Sequence, residues 1–416
     1  MEEKSFISIA QIYLDRFPVS PMQLNHSVDE QLEMCIVIPS YNEPDIVKSL
    51  KSISNCDFSD NIQVDVIVVI NHPEGADPAI IDQNIKTFNE VKSFNENTNK
   101  LPVFFHTIDA TNLPKKHAGV GWARKIGMDE ALRRFKQINK DGIICCFDAD
   151  ATLDSNYIKE VLNAFQTKGY NGAAIFFEHP LNGIEFKREI YDGILKYETH
   201  LRYYKNALKY CGVPYAYHTV GSSMAVRASA YAKQGGMNRR KAGEDFYFIN
   251  KIIGLGNFGE VNTTRIIPSP RVSDRVPFGT GRAIQEKMLG IRDLDVTYSF
   301  KIFIALKEWL ELVIENAVYE YERFPELIKL FLNKDQWCLT LDMLKSNSAS
   351  TATFKDRFYK TFDAFWILKY VHFIKEHHVS DSSLIVNANE LLNEFGVTSK
   401  NTLHKVLEEY KEIDKQ

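Results

Sequence analysis

The sequence predicts an α/β fold, a mainly parallel sheet with helices on both faces, continued by a C-terminal helical extension. Three observations carry that expectation. Wholly apolar runs alternate with helical segments from Met34 to Phe147, and strands apolar on both sides belong to sheets covered on both faces. Each run ends in polar or turn-forming residues (Pro39–Glu43, Asn71–Glu74, Asp148–Asp150), and ligands of such sheets bind outside the carboxyl ends of the strands. After Arg282 the apolar spacing becomes that of amphipathic helices.

In order, residues 1–30 read as a helical lead-in, 31–282 as the sheet domain and 283–416 as the helical region. MCIVIP, from Met34 to Pro39, is the first strand, followed by a helix from Asp45 to Ser54. VDVIVVI and LPVFFHTIDA give two more strands, KHAGVGWARKIGMDEALRRF a helix, and GIICCFDAD a fourth strand. From about Thr152 the pattern is mixed: NGAAIFFEH reads as a strand, EIYDGILKYETHLRYYKNALKY as a long helix, TVGSSMAVRASAYAKQGGM as strand then helix, and KAGEDFYFINKIIGLG as loop then helix. FKIFIALKEWLELVIENAVYEYERF, 300–324, reads as helix, SNSAST at 346–351 as an interruption, and the aromatics around Trp309, Trp337 and Trp366 as core.

Composition excludes several classes. A net charge of −4 gives no footprint for DNA or RNA, so no nucleic-acid partner is expected. No run of about 18 apolar residues predicts a transmembrane segment, and MEEKSFISIAQIYLDRF lacks the pattern of a signal peptide. The six cysteines lack CxxC spacing, which argues against disulfides or zinc and for a cytoplasmic location. The sequence leaves a homo-oligomer open.

The pair Asp148 and Asp150 at the end of an apolar strand admits three readings. Two carboxylates flanking one residue converge on a hard divalent cation, Mg²⁺ or Mn²⁺, which bridges them to a substrate diphosphate. FDADATL also fits the DxDxT pattern of haloacid-dehalogenase-like phosphatases, with Asp148 as nucleophile. That fold places its DxD on the first strand, whereas three strands come earlier here, and GEDFYFI lacks the later acidic partner. The third reading is a pair that only caps a helix near Thr152.

IVIPSYNE, VDVIVVI, NLPKKHAGVGWARKIGMDEAL, FDADA, VGSSMAVRASAYAKQGGM and GEDFYF stand in this order over residues 33–275. The series resembles family 2 glycosyltransferases with the Rossmann-like GT-A fold. The resemblance implies a metal-dependent glycosyltransferase of hexosyltransferase type that moves a sugar from a UDP-, GDP- or dTDP-linked donor to an acceptor hydroxyl. Inversion by single displacement and a role in cell-surface glycan assembly belong to the same expectation. A non-catalytic nucleotide- or sugar-binding relative is the alternative, with the phosphatase behind it.

By that resemblance Pro39, Tyr41 and Glu43 frame the donor nucleoside, and Asn71 takes a base-recognition position normally held by an acid. Arg124 approaches phosphate, with Lys125 where the family carries Asn. Asp148 and Asp150 hold the metal of the DxD motif. Gly221 and Ser222 line the acceptor and sugar side, Asp245 is the general base, and Glu244 assists it. Arg275 and Arg282, in the charged stretch RVSDRVPFGTGRA, form a lid over the diphosphate, since arginine suits phosphate oxygens.

Overall fold

The computed structural model describes residues 5–416 except 19, 21, 99–100, 117, 240–242 and 274–278. Contacts divide the chain into two compact units, one formed by the residues up to Ile184 with Thr219–Arg282, the other by Glu185–His218 with Ala283–Asp414. The segment Glu185–His218, inside the stretch expected as one sheet domain, groups with the helical residues instead.

The first unit holds β1 (Leu32–Ser40), β2 (Gln63–Pro73), β3 (Val103–Leu113), β4 (Ile143–Cys146), β5 (Thr152–Leu153), β6 (Gly172–Phe177), β7 (Met224–Arg227) and β8 (Phe258–Ile267) in one sheet of order β3-β2-β1-β4-β7-β6-β8-β5. The block β3-β2-β1-β4 is parallel. β7 runs antiparallel to both its neighbours, β6 pairs parallel with β8, and β5 closes the edge antiparallel. The expected α/β architecture is therefore observed, with a mixed, mostly parallel sheet.

Strand periodicity explains why the runs are apolar throughout. Met34, Ile36, Ile38, Val66 and Val68 enter one core, with Ile46, Leu50 and Ile53 of α2 (Ile46–Ser54). Cys35, Val37, Ile67 and Val69 enter the other. Successive side chains point to opposite faces, so a strand with two covered faces needs apolar residues at every position. α3 (Pro78–Asn97) and β8 were not anticipated, although Asp77 caps α3 by accepting from the Ala79 N–H and Pro78 opens it, a standard start signal.

α1 (Phe6–Arg16) packs on α4 (Val120–Gln137) and on the short helix that follows β7, so the lead-in is part of the sheet unit. A polar pin fixes it. Asp129 Oδ1 accepts from the Tyr13 and Tyr231 hydroxyls, each at 2.6 Å, and Lys125 Nζ donates to Tyr13 and lies 3.3 Å from Asp129 Oδ1. Lys125 is thus buried and paired, and burial lowers its pKa.

α4 lies unusually close to β1. A Cβ on Gly127 would sit 2.4 Å from Val37 Cγ1 and 2.9 Å from Val69 Cγ2. Gly127→Ala is expected to destabilise the unit by about 1–3 kcal/mol, the usual cost of overpacking a filled core. The midpoint of denaturant unfolding checks this.

The second unit is helical. It contains α6 (Arg188–Tyr210), α10 (Phe300–Leu310), α12 (Lys334–Ser346), α13 (Thr351–Thr361), α14 (Ala364–His377), α15 (Leu384–Glu394) and α16 (Leu403–Lys415), numbered in chain order with the remaining helices. The expected helix over 300–324 breaks: after Leu310 it widens into a π-turn, Glu311–Glu315, and Ala317 takes φ 52°. The aromatic core gives the reason. Trp309 and Phe324 rings lie 6.1 Å apart, whereas a straight helix would separate them by about 22 Å at its rise per residue. Trp337, Phe362 and Trp366 join them.

Candidate active site

Parallel β2, β1 and β4 bring their carboxyl ends side by side. The Phe147 N–H donates to Val37 O at 3.0 Å, prolonging β4 by one residue, and the Ala151 N–H turns back to Asp148 O at 3.1 Å. The buried Ser49 hydroxyl of α2 lies 2.7 Å from both Ala149 O and Ala151 O. The turn carrying Asp148 and Asp150 is thus held by strand and helix together.

Arg124, on α4, is 4% exposed. Its Nη2 donates to Asp148 Oδ1 at 2.6 Å and its Nη1 to Glu244 Oε1. Burial alone would lower its pKa, but Asp148 and Glu244 outweigh burial and hold it above the ordinary arginine value. Gly221 backs the guanidinium: a Cβ there would lie 2.4 Å from Arg124 Nη1. Ser222, beside it, is buried.

Glu244 and Asp245 form the first turn of α8 (Glu244–Ile253), which opens at Gly243 with φ 69°, a left-handed position suited to glycine. Acids at a helix N-terminus meet the positive end of its dipole. Burial pushes the Glu244 carboxyl up to about 7, against the pull of Arg124. Burial also raises Asp245, which is half-buried where Glu244 is fully so.

On the other side of the pair, Arg271 Nε lies 2.7 Å from Asp150 Oδ2. The two Nη groups of Arg271 clamp the buried Glu43 carboxylate, Nη1 donating to Oε1 at 3.0 Å and Nη2 to Oε2. Burial would lower the Arg271 pKa, yet Glu43 and Asp150 raise it. Pro39 and Tyr41 are half-buried around the end of β1.

Asn71 is 3% exposed, and its side-chain N–H donates to Ser40 O at 3.1 Å, tying β1 to β2. One of its two side-chain N–H donors is thus used on the backbone. Arg282 is half-buried just ahead of the division between units, and Arg275 lies outside the described residues. Arg271, in the same stretch, reaches Asp150. Its signal was the arginine-rich loop itself, which does not say which member turns inward.

No group of three or more His, Cys, Asp or Glu side chains fit to hold a metal occurs among the described residues. Asp148 and Asp150 side chains are 38% and 27% exposed, and each meets its arginine through one oxygen. Two accessible carboxylates suit a hard cation that keeps waters and completes its shell with phosphate oxygens. The donor set fits Mg²⁺ or Mn²⁺ on that basis. All six cysteines are free, and no helix among the described residues is long and apolar enough to cross a membrane.

Residues 35–233 match the model for glycosyl transferase family 2. No curated protein sequence matches the chain. Among solved structures, S. aureus TarS 1–349 in complex with UDP-GlcNAc is 14% identical, with 76% of this chain and 82% of that chain covered and a TM-score of 0.39. Mannosyltransferase PcManGT from Pyrobaculum calidifontis, in complex with GDP-Man and Mn²⁺, is 14% identical over 90% of this chain and 94% of that one, at a TM-score of 0.35. The matched family segment contains β1 from Cys35 onward, β2, β4, Arg124 and the Asp148–Asp150 turn, and ends before Glu244 and Arg271. Residues 35–233 therefore form a glycosyl transferase family 2 domain.

Proposed function

We infer that the protein moves a sugar from a UDP-, GDP- or dTDP-linked donor to an acceptor hydroxyl, with inversion at the anomeric carbon. The observation that carries this reading is the Arg124 bridge. One buried guanidinium joins Asp148, at the donor edge of the sheet, to Glu244, the neighbour of Asp245. Two acidic motifs about a hundred residues apart thereby form one site, as a single displacement requires of a donor and a base.

Asp148 and Asp150 would hold a divalent cation, which when bound neutralises charge on the departing diphosphate. Asp245 accepts the proton of the acceptor hydroxyl. That oxygen forms a bond to the anomeric carbon as the bond to the diphosphate oxygen breaks, the electron pair leaving with the diphosphate. Attack opposite the leaving group inverts the centre. The raised pKa of Asp245 strengthens it as a proton acceptor near neutral pH. Glu244, held by Arg124, fixes the first turn of α8, and so the position of Asp245.

Pro39 and Tyr41 fall to the nucleoside, Gly221 and Ser222 to the sugar and acceptor side, and Arg275 and Arg282 to closure over the diphosphate. A cytoplasmic enzyme of cell-surface glycan assembly is the setting this reading favours. Calorimetric titration of UDP, GDP and dTDP, with and without Mn²⁺, tests it. One nucleotide should bind in a Mn²⁺-dependent way, and Asp150→Ala should weaken it more than about tenfold, the scale at which even outer-shell changes act on metal sites. Binding of none of them by the wild type removes the donor site.

A further inference from the structure

Arg271 joins carboxylates from two motifs far apart in sequence, and its surroundings show which of the two is fixed. Glu43 is 1% exposed. Its Oε1 also accepts from the Asp45 N–H at 3.1 Å. Its carbonyl takes hydrogen bonds from Gln83 Nε2 at 2.8 Å and Thr87 Oγ1 at 3.0 Å, both on α3. The neighbouring Asn42 N–H donates to Asn84 Oδ1 at 3.0 Å, again on α3, while Asn84 Nδ2 donates to Asn71 O at 3.0 Å. Glu43 is thus a built-in anchor. Asp150 sits on the turn at the sheet edge with its side chain 27% exposed.

The backbone behind Arg271 is also fixed. The Ser273 N–H donates to Gly281 O at 3.2 Å, and a Cβ on Gly281 would come within 3.0 Å of Arg271 O. Arg271 is therefore held at its root and at its forked end, with Asp150 as the more exposed partner. Three of its five N–H donors serve Glu43 and Asp150.

On the donor site inferred above, we propose that Arg271 is a diphosphate-binding residue that ligand-free Asp150 holds in reserve. Pivoting on Glu43, it would leave Asp150 free to hold a cation and would turn its Nε–H donor, still protonated, toward the donor's phosphate oxygens. A guanidinium and a divalent cation compete for one carboxylate, and they repel each other. The diphosphate removes that conflict by supplying anionic oxygens to both. Cation and nucleotide then strengthen each other's binding, reciprocally.

The test uses the full chain, with Arg271→Gln and Arg271→Lys. Mn²⁺ alone is titrated by electron paramagnetic resonance. The nucleoside diphosphate that the wild type binds, and its monophosphate, are titrated by calorimetry. Arg271→Gln should bind Mn²⁺ alone about five- to tenfold tighter, at the lower end of coupling between sites. It should bind the diphosphate about 10–100-fold more weakly, the scale of a hydrogen bond to a charged group, with the monophosphate much less affected. Arg271→Lys, which keeps the charge but not the fork, should leave Mn²⁺ affinity near wild type and fall between the two for the diphosphate. Effects of opposite sign support the proposal, because a merely structural arginine would weaken every ligand alike. Uniform weakening with a lowered melting temperature, or no change in either titration, overturns it while wild-type nucleotide binding keeps the transferase reading. A wild type that binds no nucleotide defeats the transferase site and this proposal together.

Discussion

Asp245→Asn is expected to lower kcat by about 10²–10⁴-fold, the range over which positioned acid–base groups contribute, while nucleotide binding stays near wild type. Asparagine keeps the shape of the side chain and cannot take a proton. Glu244 is the other acid in reach by sequence, but it is 2% exposed and bound to Arg124, which leaves it without access to a hydroxyl. Asp245 is half-buried, with one oxygen accepting from the Phe246 N–H at 2.7 Å. Because burial raises Asp245, the base is lost to protonation at a higher pH than an ordinary aspartate would be. The wild-type profile of kcat against pH should therefore fall on its acid side above the usual aspartate range near 3.9, and the residual rate of Asp245→Asn should lack that limb. Steady-state rates across pH, paired with a nucleotide titration, check both halves. Wild-type turnover in the variant would remove Asp245 from the role.

The parts of this site that were legible in the sequence are those whose signal is local. β1, β2 and β4 showed as apolar runs because both faces of each strand are covered. Asp148–Asp150 and Glu244–Asp245 showed because each pair stands where an element ends or begins. What joins them was not legible. Arg124 was expected at phosphate, and nothing in its helix indicates that Gly221 would back its guanidinium or that Glu244 would bind it. That Arg271 reaches Glu43 and Asp150 follows from how β8 delivers the chain to the sheet edge, and spacing along the loop carries no information on that. α3 was missed because its apolar residues are sparse: Ile85 and Phe88 are exposed, while Asn84 and Thr87 are buried to hold the Glu43 turn. A helix whose inner face is polar defeats a reading based on apolar periodicity.

Asp414→Ala is expected to destabilise the helical unit by about 3–5 kcal/mol, the cost of removing one partner from a buried ion pair. Asp414 lies near the end of α16, with its side chain 2% exposed. Its Oδ2 accepts from Arg202 Nη1 at 2.6 Å and lies 3.0 Å from His218 Nε2, and its Oδ1 accepts from Lys205 Nζ and Asn206 Nδ2, each at 2.9 Å. Arg202 is fully buried and also binds Glu198, whose Oε1 is 3.0 Å from Arg202 Nε and 3.9 Å from Lys411 Nζ. Without Asp414, the buried cations Arg202 and Lys205 would each lose a carboxylate counter-charge. A buried charge without a counter-charge costs more than a lost hydrogen bond. Burial alone would raise the Asp414 carboxyl, but His218, Arg202 and Lys205 hold it far below the usual range. A depressed folded-state pKa means that Asp414 contributes its stability above the unfolded value near 3.9 and loses it as pH falls from there toward the folded value. The difference in unfolding free energy between wild type and Asp414→Asn should accordingly be full at neutral pH and shrink below about pH 4. Denaturant unfolding followed at several pH values reads this directly. A difference that stays constant on acidification would mean that packing at the end of α16, rather than the Asp414 charge, holds the unit together.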